Sequence, residues 1–280
     1  MITLPEAFEQ EMKQLLGEEE YEAYRKTFDE AVHRGLRVNN GKISTEEFLR
    51  RTDIPLKKVP WIPNGFYYDE ESCNPAKDAD YYAGLYYLQE PSAMTPASRL
   101  PIEPDDRVLD LCAAPGGKAT ELGSRIGEGG MLLANDISNS RAKALLRNLE
   151  IQGVGRLLVT SEDPEKLVTL YPAFFDKILL DAPCSGEGMF RKESSMLRYY
   201  SENGPEHYVP IQKKLIEQAY QMLAEGGELL YSTCTFSVKE NEEVIAGLLD
   251  AHPDMEVQEI TPGYEGFAPG VSVNGRDLSR

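Results

Sequence analysis

The chain has 280 residues, 41% of them hydrophobic and 27% charged, with a formal net charge of -18. That composition suits a globular protein with length for a sizeable core and about two domains. No apolar run approaches the roughly 18 residues of a membrane span, and "MITLPEAFEQE" lacks the basic start and apolar stretch of a secretory leader, so a cytoplasmic protein without a membrane partner is expected.

Two segments of the first third, "PEAFEQEMKQLLG" and "EEYEAYRKTFDEAVHRG", carry apolar residues at helical spacing, with Gly17 and Gly35 where helix C-caps would fall. "LRVN" comes next as a short strand, and "STEEFLRRT" opens with a capping box in which Ser44 and Glu47 satisfy each other's helix-start donors. Pro55, Pro60 and Pro63 then favour extended or loop backbone. Taken alone, the negative charge disfavours a polyanionic partner. Residues 34–58 run against it, with seven Lys or Arg (Arg34, Arg37, Lys42, Arg50, Arg51, Lys57, Lys58) and three acids.

From Arg107 the pattern becomes strand, loop and helix. Five short, nearly continuous apolar runs at 107–111, 131–136, 156–160, 176–181 and 227–233 read as strands buried on both faces. Helical segments are expected at 117–126, 138–152, 164–170, 209–224 and 238–251. The alternation indicates an α/β, doubly wound, mainly parallel sheet, with a small α+β unit before it and its ligand site at the carboxyl ends of the strands.

The residues at the strand ends carry the chemistry. After the first strand comes "CAAPGGK" (Cys112, Ala113, Ala114, Pro115, Gly116, Gly117, Lys118), a Gly-rich turn into a helix that lets a ligand approach the backbone. It matches neither the dinucleotide fingerprint nor a phosphate loop. The second strand ends in Asp136, the third near Asp163 and the fourth in Asp181. A carboxylate there can accept two ribose hydroxyls, although a lone Asp at such a place is more often a cap or turn residue. Together with the Gly turn they fit a nucleoside without pyrophosphate, for which S-adenosylmethionine is the natural candidate.

The four cysteines, Cys73, Cys112, Cys184 and Cys234, include no C-x-x-C pair, and only three His residues accompany them, so neither a metal nor a disulfide is expected. Cys184 comes after the fourth strand and Cys234 after the fifth. A free Cys is usually a small packed hydrophobe. Two at neighbouring strand ends suggest reactive thiols, with Lys118, Arg191 and Lys192 as bases able to lower a thiol pKa.

"YYAGLYYLQEPSAM", "DLCAAPGGKAT", "LLDAPCSGEGMFRK" and "LLYSTCTFSVKENEEVI" resemble the ordered motifs of the RsmB/NOP (Nop-Sun) RNA 5-methylcytosine methyltransferases, and "GMFRK" with "RVN" resembles the RsmF-like bacterial branch. The resemblance runs from about residue 36 to the end. It implies a class I, Rossmann-like methyltransferase domain over 91–280 and an RNA-contacting N-terminal domain over 1–90. It further implies Cys234 as the nucleophile toward cytosine C6, Cys184 as the thiol assisting release, and Asp181 as the acid at the base. Residues 112–118 then surround the methionine part of S-adenosylmethionine, Asp136 meets ribose and Asp163 adenine, and Arg141 is a further cofactor contact. Where the family carries Asn-Asp this chain has Glu162-Asp163, and it stops at "NGRDLSR", short of the branch's C-terminal RNA-binding part. A monomer acting on small-subunit ribosomal RNA or the 30S subunit is expected. The alternatives are a methyltransferase for protein or small molecules, and a non-catalytic RNA-binding or assembly factor.

Overall fold

The computed structural model describes residues 3–193 and 195–278. Along the chain run α1 (Glu6–Lys26), β1 (Arg34–Val38), α2 (Thr45–Arg51), β2 (Leu56–Lys58), β3 (Gly65–Tyr68), α3 (Ala79–Tyr82), β4 (Tyr86–Leu88) and α4 (Thr95–Arg99). The second part comprises β5 (Arg107–Asp110), α5 (Gly117–Arg125), β6 (Met131–Asn135), α6 (Asn139–Gln152), β7 (Leu157–Thr160), α7 (Pro164–Leu170) and β8 (Phe175–Asp181). It ends with α8 (Ser195–Glu202), α9 (Pro205–Met222), β9 (Leu223–Ser232) and α10 (Glu242–Ala251). All five strands expected after Arg107 form. The fifth starts earlier, at Leu223, and α10 starts later, at Glu242, because residues 237–241 are held as a loop.

Strands β5 to β9 make a parallel sheet in the order β7-β6-β5-β8-β9. The chain enters at the centre, winds out to β7, then returns to lay β8 and β9 on the other side. Strand order therefore reverses between β5 and β8, and a crevice opens at their carboxyl ends. The strands are apolar on both faces because both are covered. Leu109, Leu133, Ile178 and Leu180 face Leu215 and Ile216 of α9 and Val244 of α10, while Val108, Leu132, Ala134 and Leu179 face Leu122, Leu145 and Leu149 of α5 and α6.

Strands β2-β3-β1-β4 form a separate antiparallel sheet. Its core is Leu36, Val38, Phe48, Phe66 and Tyr86. Ser44 caps α2, its Oγ accepting the Glu47 N–H at 3.1 Å. Gly17 interrupts α1 with φ 78°, as expected of a helix-ending glycine. Gly35 is not a cap: it lies within β1 opposite Tyr67, and a Cβ there would stand 2.6 Å from the Gln89 carbonyl oxygen. The helical spacing before it ends instead in a short 3-10 turn at Thr27–Asp29.

Two groups of contacts between the parts bear on the site. Phe8 of α1, fully buried, packs edge-on against Phe190 (ring centroids 5.0 Å) and Tyr200 (6.3 Å), so the first helix sits behind the loop after β8. Arg37 of β1, 2% exposed, pairs with Glu121 of α5 at 2.8 Å. It also donates to the Gly117 carbonyl at 2.8 Å, to Thr120 Oγ1 at 2.8 Å and to Gln89 Oε1. Burial pulls its pKa down, while Glu121 opposes that. Arg37 is therefore internal, and the basic stretch is largely committed to the fold. Lys42 donates to the Ala83 and Ile151 carbonyls, and Arg34 and Arg51 pair with Glu70 and Asp80. Arg50, Lys57 and Lys58 remain exposed.

Removing one partner of a buried ion pair leaves the other uncompensated, which costs about 3 kcal/mol or more. Arg37→Met is expected to lose about that much in urea unfolding, and the double variant Arg37→Met/Glu121→Leu distinctly less. Additive losses would show that the pair is not coupled.

Candidate active site

The loop after β5 turns at Gly116, whose φ of 113° suits only glycine, and enters α5 at Gly117. Neighbours fasten it on each side: Ala113 N–H donates to the Asn135 carbonyl at 2.8 Å and Asn148 Nδ2 to the Pro115 carbonyl at 2.7 Å. Arg141 Nη2 bridges the Ala114 carbonyl (3.0 Å) and Asp136 Oδ2 (3.2 Å), while Asp136 Oδ1 accepts the Ser138 N–H. Arg141 thereby fixes the loop against the end of β6. Asp163 stands apart. It caps α7, its Oδ1 accepting the Glu165 N–H at 2.9 Å, which is the ordinary use of Asp at a helix start.

Asp181, the last residue of β8, is held at both oxygens. Lys118 Nζ lies 2.6 Å from Oδ2, and Ser232 Oγ donates to Oδ1 at 2.7 Å. That ion pair brings the Gly-rich loop over the end of β8, one step from the thiols.

The two thiols meet. Cys184 Sγ and Cys234 Sγ are 3.1 Å apart, and the Cys234 N–H points at Cys184 Sγ at 3.3 Å. Cys234 is exposed and Cys184 half-buried. Their pKa values move in opposite directions. The hydrogen bond from Cys184 draws the Cys234 thiol down, with help from Lys118 and against burial and Asp181. The same bond, and then burial, push Cys184 far up. The contact thus makes Cys234, the more exposed of the two, also the more readily ionised thiol. Of the three bases expected to tune a thiol, only Lys118 acts. Lys192 pairs with Glu90, and Arg191 lies near the Glu30 and Ala31 carbonyls. Cys112, pushed up to about 12 chiefly by burial, is no nucleophile.

Sequence reasoning missed two residues. Asp110 is fully buried at the end of β5, and neither of its carboxylate oxygens has a hydrogen-bond partner. Burial raises its pKa to about 8 against the pull of Lys118, with Asp181 and Asp136 adding to the rise. An acid inside the apolar run "RVLDL" was the available signal. Asn135 ties three strand ends together, donating to the Leu111 and Glu162 carbonyls and accepting from Thr160 Oγ1 and the Glu162 N–H.

The crevice fits a cationic nucleoside ligand. An orphaned carboxylate waits under the Gly-rich loop, and three acids (Asp110, Asp136, Asp181) outnumber the two bases Lys118 and Arg141. Among the described residues no cluster of three metal-ligating side chains occurs, and no helix is long and apolar enough to cross a membrane.

Residues 97–275 match the family model of the 16S rRNA methyltransferase RsmB/F, and residues 4–91 match that of the N-terminal domain of 16S rRNA methyltransferase RsmF. Ribosomal RNA small subunit methyltransferase F of Erwinia tasmaniensis is 38% identical over 98% of this chain and 59% of its own. Its counterpart from Escherichia coli O157:H7 is 35% identical over 90% and 55%. The chain thus spans a little over half the length of these curated relatives. Among solved structures, a methyltransferase homolog protein from Pyrococcus horikoshii is 31% identical with a TM-score of 0.75, over 88% of this chain and 78% of that one. NSun6 from Pyrococcus horikoshii, determined with SFG, shares the fold with a TM-score of 0.79 at 22% identity, over 98% and 92%.

A carboxyl whose folded pKa is raised favours the folded state fully below its unfolded pKa, and that contribution fades as pH rises toward the folded value. For Asp110 the window runs from 3.8 to about 8. The melting temperature of the ligand-free protein is therefore expected to fall more steeply between pH 5 and 8.5 in the unaltered chain than in Asp110→Asn, by differential scanning fluorimetry. Parallel curves would show that Asp110 does not titrate in that range.

Proposed function

The chain belongs to the 16S rRNA methyltransferase RsmB/F family, and on that premise we propose that it methylates C5 of a cytosine in small-subunit ribosomal RNA through a covalent bond between Cys234 and C6 of the base. The observation that carries the reading is the pair of thiols 3.1 Å apart at the crevice where strand order reverses. S-adenosylmethionine is the cofactor. It is held by the 112–118 loop, Asp110, Asp136, Arg141 and Asp163, and when bound supplies an electrophilic methyl group on a sulfonium.

Cytosine C5 is too weak a nucleophile to take a methyl group unaided. The Cys234 thiolate adds to C6, and the electron pair displaced from the C5–C6 double bond is taken up toward N3, which gains a proton from solvent, donates it in a hydrogen bond to Asp181, and gives it back when the ring is restored. Lys118 and Ser232 keep that carboxylate aimed. The resulting enamine gives C5 the electron density to form its bond to the methyl carbon as the methyl–sulfur bond breaks, the sulfur keeping the electron pair as a neutral thioether. Once the Cys234 sulfur is bonded to C6 it no longer receives the Cys184 proton, and the bond that kept Cys184 protonated is gone. Cys184 then becomes the group able to lose its proton to solvent and collect the C5 proton. Restoring the C5–C6 double bond expels the Cys234 thiolate.

Residues 1–90 supply an RNA-contacting domain, with Arg50, Lys57 and Lys58 among its exposed cations, and residues 91–280 the catalytic domain. The protein works as a monomer in the cytoplasm, on naked ribosomal RNA or the 30S subunit.

Cys234→Ala is expected to reduce methyl transfer by about 10³-fold or more, and Cys184→Ala to accumulate a protein–RNA adduct stable on a denaturing gel. Tritium transfer from labelled S-adenosylmethionine to a small-subunit ribosomal RNA transcript measures the first and gel mobility the second. An adduct from Cys234→Ala and none from Cys184→Ala would reverse the two roles.

A further inference from the structure

The motif that carries Cys234 continues into "KENE", to which the chemistry of methyl transfer gives no part. Its Glu240 is fully buried, and its carboxylate reaches back to the other thiol's loop. Oε1 accepts the Ser185 N–H at 2.9 Å and Gln212 Nε2 at 2.9 Å, and Oε2 accepts the Ser185 hydroxyl. Gln212 Nε2 also donates to the Pro183 carbonyl at 2.9 Å. Cys184 is thus bracketed, its preceding carbonyl held by Gln212 and its following amide and hydroxyl by Glu240.

The next residue does the same for Cys234. Asn241 Oδ1 accepts Thr233 Oγ1 at 2.7 Å, and Asn241 Nδ2 donates to the Thr235 and Ser237 carbonyls at 3.1 and 3.0 Å. Thr233 and Thr235 flank Cys234. One short link joins the two brackets, between Ser185 Oγ and Thr235 Oγ1 at 2.9 Å. Because a carboxylate only accepts, the Ser185 proton goes to Glu240 and the Thr235 hydroxyl donates to Ser185. Tyr231, its hydroxyl 2.6 Å from the Glu240 carbonyl, fixes the backbone from which both side chains spring.

We propose that Glu240 and Asn241 are positioning residues for different halves of the reaction, Glu240 holding Cys184 for release and Asn241 holding Cys234 for bond formation. The inference rests on the roles proposed for the two thiols. A carboxylate that receives three donors cannot be replaced by an amide, which has one acceptor atom and two donors of its own. The Cys184 loop then loses its anchor while the Cys234 loop keeps Asn241. The first bond still forms, and its breakage slows.

The test uses the full chain, S-adenosylmethionine and a small-subunit ribosomal RNA transcript. Glu240→Gln is expected to turn over about tenfold more slowly, the scale of one buried hydrogen bond lost, while the fraction of protein in the denaturant-stable RNA adduct rises toward that of Cys184→Ala. Asn241→Ala is expected to lose adduct and turnover together. Calorimetric affinity for S-adenosylmethionine is expected to stay within about twofold in both, since neither residue touches the Gly-rich loop. Should Glu240→Gln fail to fold, Ser185→Ala, which deletes only one of the three donors, is expected to show the same rise in adduct to a smaller degree. A general structural role would lower adduct and turnover in equal proportion in every variant, and that result overturns the inference. An adduct from Cys184→Ala with none from Glu240→Gln or Ser185→Ala sinks this inference alone. No adduct from Cys184→Ala sinks the reading of the two thiols and this inference with it.

Discussion

One buried guanidinium sets how the two sheets meet. Arg37 leaves the antiparallel sheet and reaches the first turn of α5, where it neutralises Glu121 and holds the carbonyl of Gly117. The Gly-rich loop needs such an anchor, because its glycines give it the freedom to bend under a ligand and no side chain with which to hold a shape. Its rigidity is borrowed from a residue 80 positions earlier in the chain. The antiparallel sheet consequently braces the Gly-rich loop at the mouth of the crevice.

Charge is distributed by the same logic. A protein of net charge -18 has few cations to spare, and those in residues 34–58 are used first for internal bracing. Arg37, Lys42, Arg34 and Arg51 are each engaged with a carboxylate or a carbonyl of the protein itself. The crevice, by contrast, concentrates acids. Asp136 and Asp181 lie close enough to help raise the pKa of Asp110, and Lys118 and Arg141 are the cations set among these acids.

The fold and the crevice were most legible where one signal in the sequence sufficed. Continuous apolar runs marked the five parallel strands, and the residues at their ends marked the crevice, because strand ends are where a doubly wound sheet opens. Gly35 misled because a helix-ending glycine and a glycine that admits a neighbouring carbonyl look alike in one dimension. Asp110 was overlooked although it opens the motif "DLCAAPGGKAT": its character comes from having no partner, and absence of a partner is a three-dimensional property. The pairing of Cys184 with Cys234 could be suspected from their positions. Which thiol is drawn down in pKa and which is pushed up could not, since that depends on a 3.1 Å contact and on Lys118 leaning across from another loop.

The position of α1 bears on how the protein is made. Glu11 on that helix accepts a hydrogen bond from Ser237, three residues beyond Cys234, across 226 positions of chain. Phe8 fills the space behind Phe190, and Tyr24 packs against Phe236 at 5.9 Å. Synthesised ahead of every other described element, α1 therefore waits for the Cys234 loop before either is fully packed. Contacts of such long sequence separation form late in folding. The thiol loops gain their backing only after some 230 residues of chain have left the ribosome, and a nascent chain shorter than that has no assembled reactive centre to expose.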